Sequence, residues 1–344
     1  MTQMSPISRA TIFKKLSVSS LARPAHGATP LHRHSDLLPI VLAPAAGESG
    51  VGFLLRVAST NGISVHKLRQ LAGMTEAETF TAKHEDRLLA LVGLAGSWPS
   101  RLLPQRISGG GVTCYGHRFR VRTMLRFRRP QFCPTCIRET QVCAAHWDLS
   151  LSVACLHHGC FLQDLCPSCR TQIRWNRPSV EWGHCKHILG GAAVSEDISQ
   201  DLRAVQKITE DLLNHQAPDF SPVGLSCPGL SLDAWCSFLW ALGLIETPDS
   251  PPRRTVITRA PSSLNARTVV VRSITRLRAS VESGRGLSDL AHVVAEAPLA
   301  GTILDPANEC DRAICLNWYE SIFGERQAAS LVRRHRALSQ MSLF

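Results

Sequence analysis

Four closely spaced pairs of potential metal ligands lie between residues 133 and 187. They are Cys133 with Cys136, Cys155 with His158, Cys166 with Cys169, and Cys185 with His187. Two cysteines separated by two residues, one of them a turn-forming proline, can direct both sulfurs at one tetrahedral zinc ion. Each pair needs a second pair to complete four ligands, so the segment predicts two complete zinc sites.

Taking the pairs in chain order gives one set of four ligands for each metal. We predict that the first zinc is bound by Cys133, Cys136, Cys155 and His158, and the second by Cys166, Cys169, Cys185 and His187. His157 could replace His158, and His184 could replace His187, because a sequence does not show which imidazole faces a metal. Cross-bracing as in a RING domain is disfavoured by the seven residues between His158 and Cys166. Four protein ligands leave no open position, which predicts structural zinc.

We predict that a strand precedes Cys155 and positions it for metal binding. Trp147, Leu149, Leu151 and Val153 alternate with polar residues, a pattern typical of a half-buried strand. The seven cysteines outside the two ligand sets, Cys160 and Cys310 among them, are expected to be ordinary reduced, buried thiols.

A helical domain is predicted before the cysteines. Apolar residues from Val51 to Ala58 recur at helical spacing, and Asn61-Gly62 ends the turn. Ser64 is a suitable N-cap for a second helix over Val65 to Leu71, and a third helix is expected over Glu85 to Leu94. This pattern indicates a helix-turn-helix, although an ordinary helical hairpin with no nucleic-acid contact has the same apolar spacing.

Two arginine-rich tracts contain no acidic residue. The first runs from Arg87 to Arg138, and the second lies between Asp249 and Glu282. Within the first, alternation predicts a strand that presents Arg118, Arg120 and Arg122 on one face. Such runs are either solvated surface charge or a phosphate-binding surface, and the absence of acids favours the second interpretation. The predicted nucleic-acid-binding residues are Arg118, Arg120, Arg122, Arg126, Arg128, Arg129, Arg272, Arg276 and Arg278.

Composition limits the class of protein. The 344 residues carry 38 Lys and Arg against 27 Asp and Glu, a formal net charge of +11, with 44% hydrophobic residues, which describes a folded basic chain of more than one domain. No apolar run reaches the length of a membrane span. Deaminase, Walker A, nucleophile-elbow and zincin motifs are missing, so we expect no enzyme and no catalytic residues.

The predicted fold is mainly α, with a small zinc-stabilised α+β segment. We divide the chain into a flexible basic arm (1–36), a helical domain with the helix-turn-helix (37–100), a basic connecting segment (101–130), a tandem zinc-finger domain (131–192), a helical segment (193–246), a linker (247–262) and a helical C-terminal domain (263–344). In the last of these, helices are expected over Leu287 to Ala295 and from Asn317.

Several motifs together resemble the TniQ family. They are the helix-turn-helix from Ser49 to Leu71, Arg129-Pro-Gln-Phe-Cys-Pro-Thr-Cys136, Trp147-Asp-Leu-Ser-Leu, Cys155-Leu-His-His-Gly159-Cys and Asp164-Leu-Cys-Pro-Ser-Cys169. The resemblance covers about the first 190 residues. It implies the same two zinc sites, except that family members commonly close the second with Cys-x-Cys, where this chain has Cys185-Lys186-His187.

The resemblance implies a non-catalytic adaptor of transposition. Such proteins select or mark target DNA and recruit an AAA+ ATPase that regulates the transposase. Further partners implied are the transposase, an RNA-guided CRISPR complex or a second copy of the chain, in the bacterial cytoplasm at the nucleoid. The competing hypothesis is a zinc-containing transcription regulator that reads an operator through the helix at Val65 to Leu71.

Overall fold

The computed structural model describes residues 37–75, 78–94, 102–191, 197–249, 260–284 and 286–341, with side chains up to Arg334. The predicted basic arm and most of the predicted linker lie outside the described residues. Within the described ranges the protein is mostly helical, with two small sheets. None of the helices in these ranges is long and apolar enough to cross a membrane.

The N-terminal helices follow the predicted pattern. They are α1 (Gly50–Thr60), α2 (Val65–Leu71) and α3 (Glu85–Leu91). The hydroxyl of Ser49 accepts a hydrogen bond from the Gly52 amide, and that of Ser64 accepts one from the Lys67 amide, so both helices begin at a serine N-cap. Gly62 makes the turn between them with φ +67°. The two predicted helices and the turn between them are present, and the third helix ends earlier than predicted.

A three-stranded antiparallel sheet forms in the segment predicted as a connection. Its strands are β1 (Gln105–Arg106), β2 (Val112–Cys114) and β3 (His117–Phe119), in that order. The prediction of a strand that carries Arg118, Arg120 and Arg122 is wrong, because β3 ends at Phe119. The Arg120 amide instead donates to the Asp233 carboxylate (3.1 Å), and Arg122 begins a 3₁₀ turn.

Residues 131–191, which contain the predicted metal ligands and which we call the metal-ligating segment, have little regular structure. They contain α4 (Pro134–Thr140) and a hairpin of β4 (Ala154–Cys155) with β5 (Cys160–Phe161). The strand predicted over Trp147 to Val153 is also wrong: a 3₁₀ turn covers Ala145–Asp148, and the residues that follow are buried on both sides. Ser150 donates to the Thr123 carbonyl and Ser152 accepts from Gln206, so internal partners satisfy the polar half of the alternation.

Six helices form the C-terminal half. They are α5 (Gln200–Leu213), α6 (Leu232–Gly243), α7 (Ser263–Ser283), α8 (Glu296–Leu304), α9 (Glu309–Phe323) and α10 (Glu325–Met341). Every residue of α6 is buried, and α7 lies against it so closely that a Cβ on Gly243 would stand 2.1 Å from the Val269 carbonyl. The helix predicted over Leu287 to Ala295 is a 3₁₀ turn (Gly286–Leu290) followed by α8, and α9 begins before Asn317 because Asn308 caps it.

Two hydrophobic cores run across the predicted boundaries. The N-terminal core joins α1–α3 to the metal-ligating segment and includes Phe53, Leu55, Leu68, Leu88, Phe132, Ile137, Trp147, Ile173, Trp175 and Leu189. The C-terminal core joins the three-stranded sheet to the last six helices and includes Phe119, Leu149, Leu151, Trp235, Phe238, Leu277 and Tyr319. Residues 144–154 contribute to both cores and therefore connect them.

A buried ion pair links the metal-ligating segment to α7. The guanidinium of Arg126, fully buried, donates to the Asp164 carboxylate (2.8 Å) and to the Arg129 and Pro261 carbonyls. The same carboxylate oxygen accepts the Ser263 amide at the start of α7 (2.9 Å). Burial lowers the pKa of Arg126, and Asp164 opposes that shift.

We expect Arg126→Ala to lower the free energy of unfolding by about 3–5 kcal/mol, because it leaves Asp164 buried without its cation. The matched variant Arg122→Ala removes an exposed guanidinium and should change stability by less than about 0.5 kcal/mol. Urea denaturation followed by tryptophan fluorescence measures both. Equal midpoints for the two variants would contradict a structural role of Arg126.

Candidate metal centres and the predicted arginines

The first predicted ligand set comes together at the junction of α4 and the β4–β5 hairpin. Cys133 precedes α4, with Pro134 at its first position, and Cys136 lies within its first turn. Cys155 ends β4, and His158 occupies the turn that Gly159 closes with φ +59°. A Cβ on Gly159 would also lie 2.6 Å from the Arg203 guanidinium, so this position favours glycine.

The donor atoms of this first set are spaced as a tetrahedral metal requires. His158 Nδ1 lies 3.4, 3.1 and 3.7 Å from the sulfurs of Cys133, Cys136 and Cys155. The sulfurs of Cys136 and Cys155 are 3.6 Å apart. Zinc bonds of about 2.3 Å to sulfur and about 2.0 Å to nitrogen place neighbouring donors roughly 3.5–3.8 Å apart. Three sulfurs and one imidazole therefore fit zinc in both chemistry and spacing.

Two further side chains support the first set. Glu139 accepts a hydrogen bond from Nε2 of His158 (2.9 Å), which leaves Nδ1 free of a proton and directed at the sulfurs. Cys160 lies on β5 with its sulfur 3.5 Å from that of Cys133. Sequence reasoning missed both contacts. The spacing of Cys136 and Glu139, three residues apart on one face of a helix, was the available signal for the carboxylate.

The second predicted set is built by two tight turns. Cys166 and Cys169 are followed by Arg170 in the left-handed conformation (φ +59°), and Lys186 adopts it between Cys185 and His187 (φ +61°). The four donor atoms lie within 4.8 Å of one another, with 3.8 Å between the Cys166 sulfur and His187 Nδ1. The Thr171 hydroxyl and amide donate to Cys169, which lowers the pKa of its thiol to about 6 and favours the thiolate that binds metals.

The two sets differ in exposure. In the first, Cys133 and Cys155 are buried and the other two ligands are half-buried, whereas in the second only Cys166 is buried and His187 is exposed. Among the described residues, His184 joins neither set, and the exposed His157 lies with Glu139 and His158 instead. The structure therefore brings together the residues first assigned and leaves both alternative histidines outside.

Most of the predicted nucleic-acid-binding arginines contact protein groups. Arg118 pairs with Asp305 (2.7 Å), Arg278 pairs with Asp201 and Glu282, and Arg272 lies 3.5 Å from Glu246. Arg120 donates to Ser237 and to the Pro298 carbonyl, and Arg276 donates to the Leu242 and Val293 carbonyls. With Arg126 in its buried ion pair, six of the nine side chains have protein partners, some of them at the surface.

The other three face solvent or a cleft. Arg122 and Arg128 are exposed and Arg129 is half-buried. Within the described part of the chain, none of their guanidinium groups makes an ion pair or a hydrogen bond. Sequence reasoning did not separate these three from the paired six, because the acidic partners lie far away along the chain.

A comparison with protein-family models identifies part of the chain. Residues 39–162 match the TniQ family model. Residues 39–162 form a TniQ domain. The TniQ match contains the helix-turn-helix, the three-stranded sheet and the whole first ligand set, while the second set lies beyond it. A TniQ domain implies an accessory function associated with transposition. No curated protein matches the chain.

We expect Cys133→Ser and Cys166→Ser each to bind one metal ion fewer than the wild-type protein, because each removes a buried ligand. The first variant should also unfold at lower temperature, since its set lies within the N-terminal core. Elemental analysis of purified protein together with thermal melting measures both effects. Cys310→Ser alters an exposed cysteine and serves as the control. Full metal content in either ligand variant would refute the assignment.

Glu139→Gln should weaken metal binding at the first set by roughly 10–100-fold, because the amide orients the imidazole less strongly than the carboxylate. Competition with a chromophoric chelator measures this affinity. Glu181→Gln is the matched control, since Glu181 accepts a hydrogen bond from Gln141 and touches no metal ligand. Equal metal affinities in the two variants would exclude a supporting role for Glu139.

Proposed function

We propose that this TniQ-domain protein is a non-catalytic adaptor that marks target DNA and recruits an AAA+ ATPase regulator of the transposase. The observation that carries the proposal is the family match over residues 39–162. The matched region contains a helix-turn-helix and one four-ligand metal set packed into a single hydrophobic core. A rigid unit of this kind suits a protein that positions other macromolecules.

The proposed cofactors are two structural zinc ions, one for each set. Each set already provides four donors, so a bound ion would have no position left for water or substrate. When bound, zinc would supply cross-linking of distant segments. In the first set, α4 and the β4–β5 turn would be held together. In the second set, the two ligand turns would be held together.

The basic charge of the chain supports contact with DNA. The formal net charge is +11. The exposed arginines Arg122 and Arg128 lie within residues 39–162, the matched segment that also contains the helix-turn-helix. Phosphate contacts of this kind do not require base recognition, so they suit an adaptor whose target is chosen by a partner as well as one that reads bases.

Size-exclusion chromatography with light scattering tests the proposal. The zinc-loaded full chain is mixed with a transposon-encoded AAA+ ATPase, with ATP and a random-sequence duplex. We expect all components to elute as one complex, and mixtures without ATP or without duplex to give smaller complexes. A chain that elutes alone, or with DNA only, would contradict the adaptor and favour a helix-turn-helix transcription regulator.

A further inference from the structure

Four arginines without protein partners line one cleft. Arg106 comes from β1, Arg122 from the 3₁₀ turn after β3, and Arg128 and Arg129 from the loop that follows. We call this the arginine cleft; its volume is about 360 Å³. Among the described residues, no side chain pairs with these four guanidinium groups. Sequence reasoning did not select Arg106.

The other described residues that line the arginine cleft are uncharged. They include Thr79, Thr81 and Pro104, and none of them is acidic. Two carboxylates, Glu78 and Asp86, line an adjoining cleft that shares Arg106 and Arg128. Glu78 accepts hydrogen bonds from Thr75 and lies 3.3 Å from the Lys83 ammonium, so its charge is already compensated.

This arrangement favours a ligand with several negative charges. Four guanidinium groups repel one another when no anion lies between them, and an anion that enters the cleft removes that repulsion. Guanidinium groups match phosphate oxygens in geometry as well as charge. Because the four groups come from three separate segments around an open cleft, they suit a row of phosphates better than a single phosphate.

Helix α2 contacts the segment that carries two threonines of the arginine cleft. The Arg69 guanidinium of α2 lies 4.9 Å from the centre of the buried Phe80 ring, and Phe80 lies between Thr79 and Thr81 in the sequence. Lys67 is an exposed cation on the same helix. A helix of this size enters the major groove of B-DNA, whereas the deep, narrow major groove of A-form RNA excludes it.

We propose that the arginine cleft binds the phosphodiester backbone of duplex DNA next to α2. The inference deepens the proposed function, on which it rests, by naming the DNA-binding surface. It replaces the nine arginines of the sequence prediction with Arg106, Arg122, Arg128 and Arg129. The remaining six contact protein groups instead.

A triple variant tests the inference. Arg106→Gln, Arg122→Gln and Arg128→Gln are combined, and the control combines Arg326→Gln, Arg333→Gln and Arg334→Gln, which removes equal charge from exposed positions on α10. Fluorescence anisotropy of a labelled random-sequence duplex is measured with the zinc-loaded full chain between about 50 and 200 mM salt. We expect the slope of log affinity against log salt to decrease by about 3 in the cleft variant, since each lost phosphate contact removes about 0.9. The control should keep the wild-type slope.

Two results would overturn the inference. Equal loss of duplex affinity in both triple variants would show that net charge, and not the cleft, governs binding. Cleft-dependent binding of a single-stranded RNA probe by a protein that does not bind the duplex would assign the cleft to RNA. Circular dichroism and thermal melting establish that both variants fold.

Co-elution with the ATPase in the absence of DNA, measured for the same variants, separates this inference from the proposed function. We expect the cleft variant to retain the ATPase complex while losing duplex affinity. If the wild-type protein fails to bind the ATPase, the adaptor is refuted, and the comparison of the two triple variants still decides whether the cleft binds DNA.

Discussion

The convergence of two Cys/His sets, each able to hold a metal ion, is the constraint on which the central third of this protein depends. Among the described residues between β3 and α5, the one α-helix is short and each of the two strands has two residues. Such elements form few backbone hydrogen bonds and cannot fix the chain by themselves. Two sets of four ligands, which connect residues up to 25 positions apart, compensate for that shortage. The helix-turn-helix and α5 both pack against the segment that these ligands organise.

The arginine-rich sequence of the first tract serves two physical purposes. A buried guanidinium is tolerated only where carboxylates and carbonyls surround it, and Arg126 meets that condition through Asp164 and two carbonyl oxygens. An exposed guanidinium has no such requirement and is free to meet a ligand. Neighbouring arginines in one sequence run therefore fall into different energetic classes, according to whether an acidic group from a distant segment reaches them.

Local patterns predicted local features well. Serine caps and the left-handed glycine defined α1 and α2, and ligand spacing grouped the cysteines and histidines that lie together in the structure, because each signal lies within a few residues. The prediction of a strand from Trp147 to Val153 was wrong because Ser150 and Ser152 have hydrogen-bond partners inside the protein. Alternating polar residues normally indicate a strand face that is exposed to solvent. The pairing of Arg118 with Asp305 joins residues 187 positions apart, and no local pattern encodes such a contact.

The extent of the shared core has an evolutionary consequence. The family match ends at Leu162, yet Ile173, Trp175 and Leu189, which follow it, complete the same core as α1 and α4. A chain truncated at Leu162 would leave that apolar surface open to water, at a cost of about 1.5–3 kcal/mol for each large side chain left uncovered. The matched segment is thus shorter than the core to which it contributes. A recombination event at that point would have to bring in apolar side chains that fill the place of Ile173, Trp175 and Leu189.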